Sequence, residues 1–341
     1  MKNKVALITG VNGQDGSYLA ELLLRKGYVV HGIRRYSSTN SLENLKEIIK
    51  KKNFSKKFHL HYGDITDTDS IYQIIKKSKP TEIYNLAAQS HVHVSFQIPE
   101  YTSQVDGVSQ LRILEVVKEI DPKIKIYQAA TSELYGDTKL KFLDETSGFN
   151  PVSPYSVSKL FGFYISKVYR SAYNMFICNG ILFNHESPRR GKSFVTRKIT
   201  SSVVDIVNGS GEILKIGNLN AKRDWGYAKE YVVTMWKMLQ QKEPDDYVIS
   251  TGKQYSVRQF IEESFNYFGI KILWKGKGLN EIGYDKKTKK ILVKIDPYYF
   301  RPNEVPNLKG NSIKAKKVLG WSPKTDFKEL VKIMIKAELD K

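Results

Sequence analysis

The sequence predicts an α/β fold, a Rossmann-type doubly wound parallel sheet followed by a smaller mixed α/β lobe. Up to about residue 180, short apolar or β-branched runs alternate with longer segments of helical period, which is the pattern of stacked βαβ units. A glycine-rich turn at residues 10–16 separates the first apolar run from the first helical segment. Because parallel strands must be joined by crossovers, usually helices, these units predict one parallel sheet.

The alternation gives the elements in chain order. Strands are predicted near residues 4–9, 29–34, 58–62, 82–86, 125–129 and 174–182, with helices such as 17–26 and 111–120 between them. After residue 182 the order breaks, and a loop rich in Pro, Arg and Gly at residues 188–192 precedes a further helix. We therefore assign residues 1–183 to a first domain with later returns near 226–252 and 292–300, and residues 184–225 and most of 253–341 to the smaller lobe.

The composition argues against several classes of protein. A chain of 341 residues with 41% apolar and 12% aromatic residues can bury a large core, so disorder is not expected. The longest apolar runs, such as Val5 to Thr9, are far shorter than the ~20 residues that cross a bilayer, and no membrane partner is expected. The first run is also too short for a signal peptide. The single cysteine, Cys178, excludes an internal disulfide and favours a reducing compartment, the cytoplasm.

The formal charge of +20 raises the alternative of a nucleic-acid binder, because clustered Lys and Arg neutralise phosphates. Many of the lysines are scattered along helical patterns, as at residues 50–52, 76–79 and 286–290, and a solvated surface explains them. The sequence has no zinc-finger spacing, no aromatic RNA-binding signature and no acidic metal cluster. We therefore expect neither nucleic acid nor a metal. Binding to random DNA with a steep salt dependence would support the alternative.

A dinucleotide site is predicted at the ends of the first strands. Glycine at positions 10, 13 and 16 permits a tight turn, so that a pyrophosphate can approach the backbone amides and the positive end of the helix. Arg34 and Arg35, followed by serines, stand where an NAD enzyme would normally offer a carboxylate, which favours the 2'-phosphate of NADP. Exposed loop arginines are the alternative.

Two further strand ends complete the predicted cofactor pocket. Asp64 follows the third strand, where its carboxylate can accept a hydrogen bond from adenine, and capping of the next helix is its alternative role. The small residues of Leu86-Ala87-Ala88-Gln89-Ser90, after the fourth strand, leave room for a dinucleotide.

A catalytic group is predicted after the fifth strand. Tyr155 and Lys159 lie four residues apart, on one face of a helix, and the ammonium is expected to lower the pKa of Tyr155 toward the range of a general base. Thr131 can hydrogen-bond a substrate hydroxyl. Glu133 adds a carboxylate that a simple dehydrogenation would not need, and a helix cap or a surface glutamate is its structural alternative.

The motifs together resemble the GDP-mannose 4,6-dehydratase family of extended short-chain dehydrogenases/reductases over nearly the whole chain. The matching segments read GVNGQDGSYLAELLL, LAAQSHVHVSF, TSELYG, SPYSVSKL, CNGILFNHESPRRG, FVTRKI, KRDWGYAKEY, TGKQYSVRQF and YFRPNEV. The resemblance implies a GDP-sugar 4,6-dehydratase that oxidises C4 transiently with NADP, loses water across C5 and C6, and returns the hydride to C6. Glu133 would remove the C5 proton and assist departure of the C6 hydroxyl. The resemblance also implies that the smaller lobe holds the nucleotide sugar and that a homotetramer forms through the loop at about residues 35–45.

The resemblance assigns roles residue by residue. The catalytic set is Thr131, Glu133, Tyr155 and Lys159. The cofactor set is Gly10, Asn12, Gly13, Gln14, Asp15, Gly16, Arg35, Asp64, Ile65, Leu86, Ala87, Ala88, Gln89, Ser90, Tyr101, Lys159, His185 and Arg190. The substrate set is Ser90, Glu133, Tyr155, Asn184, Val195, Lys198, Leu214, Gly217, Arg223, Arg301 and Glu304, the arginines facing the pyrophosphate.

The sequence departs from the family pattern at three places, of which the last two concern the substrate more than the reaction. Asn12 replaces Thr in the phosphate turn, His93 replaces a small residue beside the expected sugar pocket, and the segment between Gly283 and Ile291 is shorter. GDP-manno-heptose therefore stays an alternative to GDP-mannose. A 4-epimerase or 4-reductase would lack the carboxylate of Glu133. A cofactor-sensing binding protein would have a broken Tyr, Lys or Glu, and none is broken.

Overall fold

The computed structural model describes residues 4–38, 42–300, 303–305 and 307–341. The strands are, in chain order, β1 (Val5–Thr9), β2 (Val29–Arg34), β3 (Phe58–Tyr62), β4 (Glu82–Asn85), β5 (Lys125–Thr131), β6 (Ile177–Leu182), β7 (His185–Glu186), β8 (Leu214–Ile216), β9 (Lys222–Arg223), β10 (Gly226–Tyr227), β11 (Asp246–Ile249), β12 (Tyr255–Ser256), β13 (Ile272–Lys275), β14 (Ile282–Asp285), β15 (Ile291–Ile295) and β16 (Asn307–Leu308).

The helices are α1 (Gln14–Arg25), α2 (Lys46–Lys50), α3 (Lys52–Ser55), α4 (Thr68–Ser78), α5 (Val92–Ser95), α6 (Pro99–Ser103), α7 (Ser109–Ile120), α8 (Pro154–Ala172), α9 (Val195–Val207), α10 (Ala228–Leu239), α11 (Val257–Asn266), α12 (Ile313–Leu319) and α13 (Phe327–Leu339). Short 3₁₀ turns occur at Glu43–Leu45, Ser132–Tyr135, Gly278–Asn280 and Pro297–Tyr299, and a π-helical turn spans Gln104–Val108.

The large sheet confirms the predicted fold class. Its strand order is β11-β6-β5-β4-β1-β2-β3 and all its pairings are parallel. Two strand ends differ from the prediction by two residues or more. The sixth strand begins at Ile177 because Asn174 adopts a left-handed conformation with φ 52°, which a strand does not accommodate. The fifth strand runs on to Thr131, so this residue stands at the carboxyl edge of the sheet.

Apolar layers cover both faces of the large sheet, as its continuous apolar strands require. On one face Ile8, Tyr84 and Tyr127 pack with residues of α1 and α10. On the other, Ile83 and Ile126 pack with residues of α4 and α7. The carboxyl ends of the parallel strands therefore meet at one open edge, where ligands of such sheets bind.

The smaller lobe has a core of its own. A four-stranded sheet, β13-β14-β15-β8, packs with α9, α11 and α13 around apolar residues that include Phe260, Phe265 and Met334. The predicted return to the first domain near residues 292–300 is wrong, because β15 pairs with β14 and β8 in this lobe. Residues 246–249, by contrast, pair with β6 of the large sheet.

Among the residues that the structure describes, no helix is both long and apolar enough to cross a membrane.

Candidate functional site

A cavity of about 1280 Å³ lies at the carboxyl edge of the large sheet, between that edge and the smaller lobe. Most residues predicted from the sequence line it: Gly10, Asn12, Gly13, Gln14, Asp15, Gly16, Arg35, Asp64, Ile65, Leu86, Ala87, Ala88, Ser90, Tyr101, Thr131, Glu133, Tyr155, Lys159, Asn184, His185, Arg190, Val195, Lys198, Gly217, Arg223 and Glu304. Residues that are far apart in the chain therefore share one cavity.

Three predicted residues stand apart from this set. Arg301 lies outside the described residues. Gln89 and Leu214, both described, are not among the residues that line the cavity. Gln89 instead donates from its side chain to the His91 carbonyl at 3.3 Å and to Thr102 Oγ1 of α6 at 3.2 Å, and Leu214 is buried in the core of the smaller lobe. Their assignment to a ligand has no support in the geometry.

The glycine-rich turn is shaped for a phosphate group. Gly10 has φ +64°, and a Cβ there would lie 2.9 Å from Ala87 Cα; a Cβ on Gly16 would lie 2.4 Å from the Gly10 carbonyl oxygen. Since both neighbours are backbone, neither position accepts a larger side chain. Gly13 is the N-cap of α1 and contributes no side-chain hydrogen bond to the first turn. The helix amides thus face the cavity, as pyrophosphate binding requires.

The end of β2 offers positive charge and no carboxylate. Arg34 is buried, and its Nη2 donates to Tyr62 Oη at 2.7 Å, while Nε and Nη1 have no hydrogen-bond partner among the described residues. Arg35 lines the cavity and donates to Tyr101 Oη. Of the two guanidinium groups predicted for the cofactor pocket, therefore, that of Arg35 lines the cavity, and that of Arg34 does not.

Asp64 lines the cavity but does not cap the next helix. Its Oδ1 accepts from Thr66 N at 2.9 Å and Thr66 Oγ1 at 2.7 Å. The N-cap of α4 is Asp67, whose side chain accepts from the amides of Asp69 and Ser70. The capping alternative for Asp64 is therefore wrong.

An ion pair between His185 and Asp15 connects β7 to the glycine-rich turn. His185 donates from Nδ1 to the Phe183 carbonyl and from Nε2 to Asp15 Oδ2, both at 2.7 Å. Because both partners are acceptors, this geometry favours the doubly protonated imidazolium. Burial alone would lower the pKa of His185, but the Asp15 carboxylate more than offsets it and the pKa is raised. The imidazolium balances the negative charge of Asp15 where phosphates are expected.

Tyr155 and Lys159 are positioned by the start of α8. Ser153 and Ser156 form a capping box, and Pro154 occupies the first turn, so the helix begins immediately before the tyrosine. Lys159 lies one turn later, with its Nζ 6.0 Å from the centre of the Tyr155 ring. Nζ donates to the Ala129 carbonyl at 3.2 Å and lies 3.4 Å from Asp106 Oδ1.

The pKa of Tyr155 is raised and not lowered, in contrast to the direction expected from the spacing of Tyr155 and Lys159. Burial raises the pKa of Tyr155 well above its ordinary value, and the negative charges of Asp106 and Glu133 add to this effect. A hydrogen bond with Thr131 and the charge of Arg190 oppose it. Since the Lys159 ammonium is compensated by Asp106, its charge is not available in full to the phenol.

Glu133 is neither a helix cap nor a surface residue. It is 6% exposed, and Thr131 is the N-cap of its 3₁₀ turn, accepting from the Glu133 amide at 3.2 Å. Glu133 and Thr131 both line the cavity together with Tyr155. The site therefore combines a phenol, an ammonium, a hydroxyl and a buried carboxylate.

The smaller lobe contributes cationic side chains to the cavity. Lys198 Nζ lies 3.0 Å from the centre of the Tyr299 ring and has no hydrogen-bond partner among the described residues; burial lowers its pKa. Arg223 donates to Glu304 Oε1 at 2.6 Å and to the Val305 carbonyl at 2.8 Å. Two residues predicted to touch the substrate thus pair with each other.

Several lining residues were not predicted as ligand contacts. They include His91, Phe194, Trp225, Tyr298 and Tyr299. Tyr298 and Tyr299 directly precede the segment FRPNEV of the quoted motif, so the motif could have identified them. His93, noted only as a departure, lines the cavity with its ring centre 6.2 Å from that of Tyr298. By contrast, residues 283–291, all of them described, do not line the cavity, so that shorter segment carries no information about the sugar.

Within the described part of the chain, the His, Cys, Asp and Glu residues form no group of three or more that could hold a metal ion.

The chain is similar to known proteins over nearly its whole length. A family model described as GDP-mannose 4,6 dehydratase matches residues 7–334. The chain is 52% identical to the GDP-mannose 4,6 dehydratase of Homo sapiens over 340 residues, covering 98% of this chain and 91% of the relative. It is 49% identical to the GDP-mannose 4,6-dehydratase of Vibrio cholerae over 353 residues, covering 100% of this chain and 95% of the relative.

Solved structures share the fold at low sequence identity. A dTDP-glucose 4,6-dehydratase from Bacillus anthracis, in complex with NAD, matches with a TM-score of 0.81 at 20% identity, covering 99% of this chain and 97% of that one. A UDP-glucose 4-epimerase from Thermotoga maritima, with UDP-glucose, matches with a TM-score of 0.81 at 22% identity, covering 98% and 99%.

Proposed function

This chain belongs to the GDP-mannose 4,6-dehydratase family, and from that premise we propose that it converts GDP-mannose, or a closely related GDP-manno-heptose, to the GDP-4-keto-6-deoxy sugar with loss of water. It is a hydro-lyase that depends on a pyridine nucleotide. The observation that carries the proposal is Glu133, a carboxylate buried in the same cavity as Tyr155 and Lys159. An epimerase or reductase of this fold has no need of that group.

The bound nicotinamide would take hydride from C4 of the sugar and return it to C6. Tyr155 receives the proton of the C4 hydroxyl, and Thr131, at the end of β5, orients that hydroxyl. With a carbonyl at C4 the C5 proton becomes acidic, and Glu133 removes it. The same carboxyl then protonates the departing C6 hydroxyl, so that the C5 proton leaves in the water. As hydride returned to C6, C5 would need a new proton, which Glu133, reprotonated from solvent, can supply, so that one group serves as base and acid.

Incubation with NADP and each candidate sugar tests the proposal. We expect mass spectrometry to show loss of one water, and in deuterated solvent we expect one deuterium at C5, because Glu133 exchanges its proton with solvent. Conversion of GDP-manno-heptose in preference to GDP-mannose would assign the larger sugar. A product of unchanged mass would identify an epimerase and contradict the dehydratase.

NADP rather than NAD is the proposed cofactor. Support comes from Arg35 directly after β2, which lines the cavity where an NAD enzyme would offer a carboxylate; Arg34, at the end of the strand, is buried and does not line the cavity. We expect Arg35→Ala to weaken NADP binding by roughly tenfold to a hundredfold, the worth of a charge-assisted hydrogen bond, and to leave NAD binding unchanged. Titration of both nucleotides measures this. Arg25→Ala, which removes the same charge at the far end of α1, is the matched control. Equal affinity of the native protein for both nucleotides would contradict the assignment.

A homotetramer is the proposed assembly. The loop of residues 35–45 is longer than most connections of this kind, and Tyr36 within it is 75% exposed; residues 39–41 lie outside the described part. The surface of α8 also exposes apolar side chains at a spacing of three or four residues, namely Val157, Phe161, Tyr164 and Val168, as in helices that pack together.

We expect the assembly to depend on NADP, because a ligand held between chains stabilises their association by mass action. Light scattering of protein stripped of nucleotide and then resupplied should show a tetramer that dissociates and re-forms. A fully active monomer with tight NADP binding would overturn this proposal.

The cytoplasm is the proposed location, supported by the single buried Cys178.

A further inference from the structure

A buried carboxylate that the proposed mechanism does not use lies behind Lys159. Asp106 has a side chain that is 0% exposed, against 4% for Lys159, and its Oδ1 lies 3.4 Å from Lys159 Nζ. Its Oδ2 accepts from the Gln89 amide at 3.1 Å. Oδ2 is thus hydrogen-bonded by the loop that follows β4, whereas Oδ1 has no hydrogen-bond partner among the described residues and faces the catalytic helix through its ion pair with Lys159.

The backbone brings this carboxylate to Lys159 through an irregular turn. Asp106 lies in the π-helical turn Gln104–Val108, and such turns are rare and frequent at functional sites. The next residue is Gly107, where a Cβ would lie 3.0 Å from the Ser158 carbonyl oxygen of α8. The missing side chain allows the turn to contact α8 at the residue that precedes Lys159.

Asp106 affects the electrostatic environment of Tyr155 as well as the packing of α8. The ammonium of Lys159 is shared between Asp106 and the Ala129 carbonyl, so its position relative to Tyr155 is fixed from the side of the sheet. The other charged groups that act on Tyr155 are Glu133 and Arg190, with Thr131 as a neutral hydrogen-bond partner. Of the two carboxylates, Asp106 has the larger effect in raising the pKa of Tyr155.

Burial also disfavours the ionised form of the Asp106 carboxyl group. Burial raises its pKa to about 6, and the ammonium of Lys159 opposes that rise. Its ionised form therefore depends on Lys159, while Lys159 depends on Asp106 to compensate a buried positive charge.

We propose that Asp106 is a positioning residue of this reaction, which holds the Lys159 ammonium against the sheet and sets the pH above which Tyr155 accepts the substrate proton. The inference rests on the proposed function for its kinetic readout only. Asp106 acts through Lys159 and Tyr155 and is not among the residues that line the cavity.

The test is the pH profile of kcat/KM for Asp106→Asn, which removes the charge and keeps the shape. Without the carboxylate, the phenolate of Tyr155 meets less negative charge, so we expect the acid limb to move to lower pH by roughly one unit, the size that a nearby like charge produces. We expect KM to change less than kcat, because the residue does not touch the substrate. An acid limb that stays in place, or that moves to higher pH, overturns the proposal.

Asp246→Asn is the matched control. Asp246 is also buried, and it accepts hydrogen bonds from Arg170 of α8 and from Asn179 of β6. Arg170 lies roughly 16 Å farther along α8 than Lys159. Loss of this pair should lower the melting temperature and leave the acid limb unmoved. If Asp246→Asn shifts the limb as Asp106→Asn does, a general loosening of α8 explains the result and the proposal is wrong.

Two further measurements do not depend on turnover, and the second does not depend on the variant either. In protein loaded with NADP alone, the phenolate titration of Tyr155, obtained by subtraction of Tyr155→Phe, should fall in pH in Asp106→Asn; an unchanged titration contradicts the inference even if the sugar is misassigned. If Asp106→Asn does not fold, NMR of the native protein should show the Asp106 carboxyl carbon and the Lys159 Nζ responding at one common pH. Separate responses would overturn the coupling. Absence of water loss in the native protein would instead refute only the proposed function.

Discussion

Glu133→Gln is expected to stop the loss of water while oxidation at C4 continues. The substitution keeps the size of the side chain and removes the proposed base for the C5 proton, a loss that typically lowers a rate by ~10² to 10⁴. Glu133 lines the cavity but is not among the residues of the phosphate turn, so NADP and the nucleotide sugar should bind as before. In a single turnover, reduced nicotinamide should therefore form and persist, since elimination no longer follows.

The measurement is absorbance of reduced nicotinamide beside mass spectrometry of the product. Glu82→Gln is the control, because Glu82 is a buried glutamate at the opposite end of the same sheet, accepting from Tyr28 at 3.0 Å and Tyr84 at 2.7 Å. It should lower stability without changing the product. Near-normal turnover of Glu133→Gln, or continued deuterium exchange at C5, would refute the assignment of the base.

Tyr155→Phe is expected to stop the reaction one step earlier. The ring and its burial are kept, but no group then receives the proton of the C4 hydroxyl, and we expect a loss of ~10² to 10⁴ in kcat with little change in nucleotide binding. Reduced nicotinamide should not accumulate, in contrast to Glu133→Gln. Tyr173→Phe, at an exposed tyrosine directly after the same helix, provides the control. If Tyr155→Phe formed reduced nicotinamide at the native rate, another group would have to be the base.

The two variants together separate the steps of the proposed mechanism. Oxidation without water loss in one variant and no oxidation in the other is the pattern that a dehydratase requires. An epimerase would lose activity with Tyr155→Phe but would tolerate Glu133→Gln. The pair of results therefore tests the reaction class as well as the two residues.

The sequence by itself determined the features that are local in the chain. Alternating apolar runs and helical segments defined the large sheet, because strand and helix periods are read directly from spacing. The glycine-rich turn followed from the need for small residues next to backbone, and the position of Tyr155 relative to Lys159 followed from the helical repeat. Family motifs also brought Glu133 to attention, although burial in the cavity was needed to exclude the alternative of a surface glutamate.

Only the tertiary structure decided the features that depend on distant neighbours. Asp106 lies 53 positions before Lys159 in the sequence and resembles any helical aspartate there, so its contact with the ammonium could not be predicted. Arg223 and Glu304 appeared as separate substrate contacts, yet the fold pairs them. The direction of the Tyr155 pKa shift reversed for the same reason. Spacing along a helix places a cation near a phenol, but burial and the carboxylates contributed by other elements determine the charge that the phenol experiences.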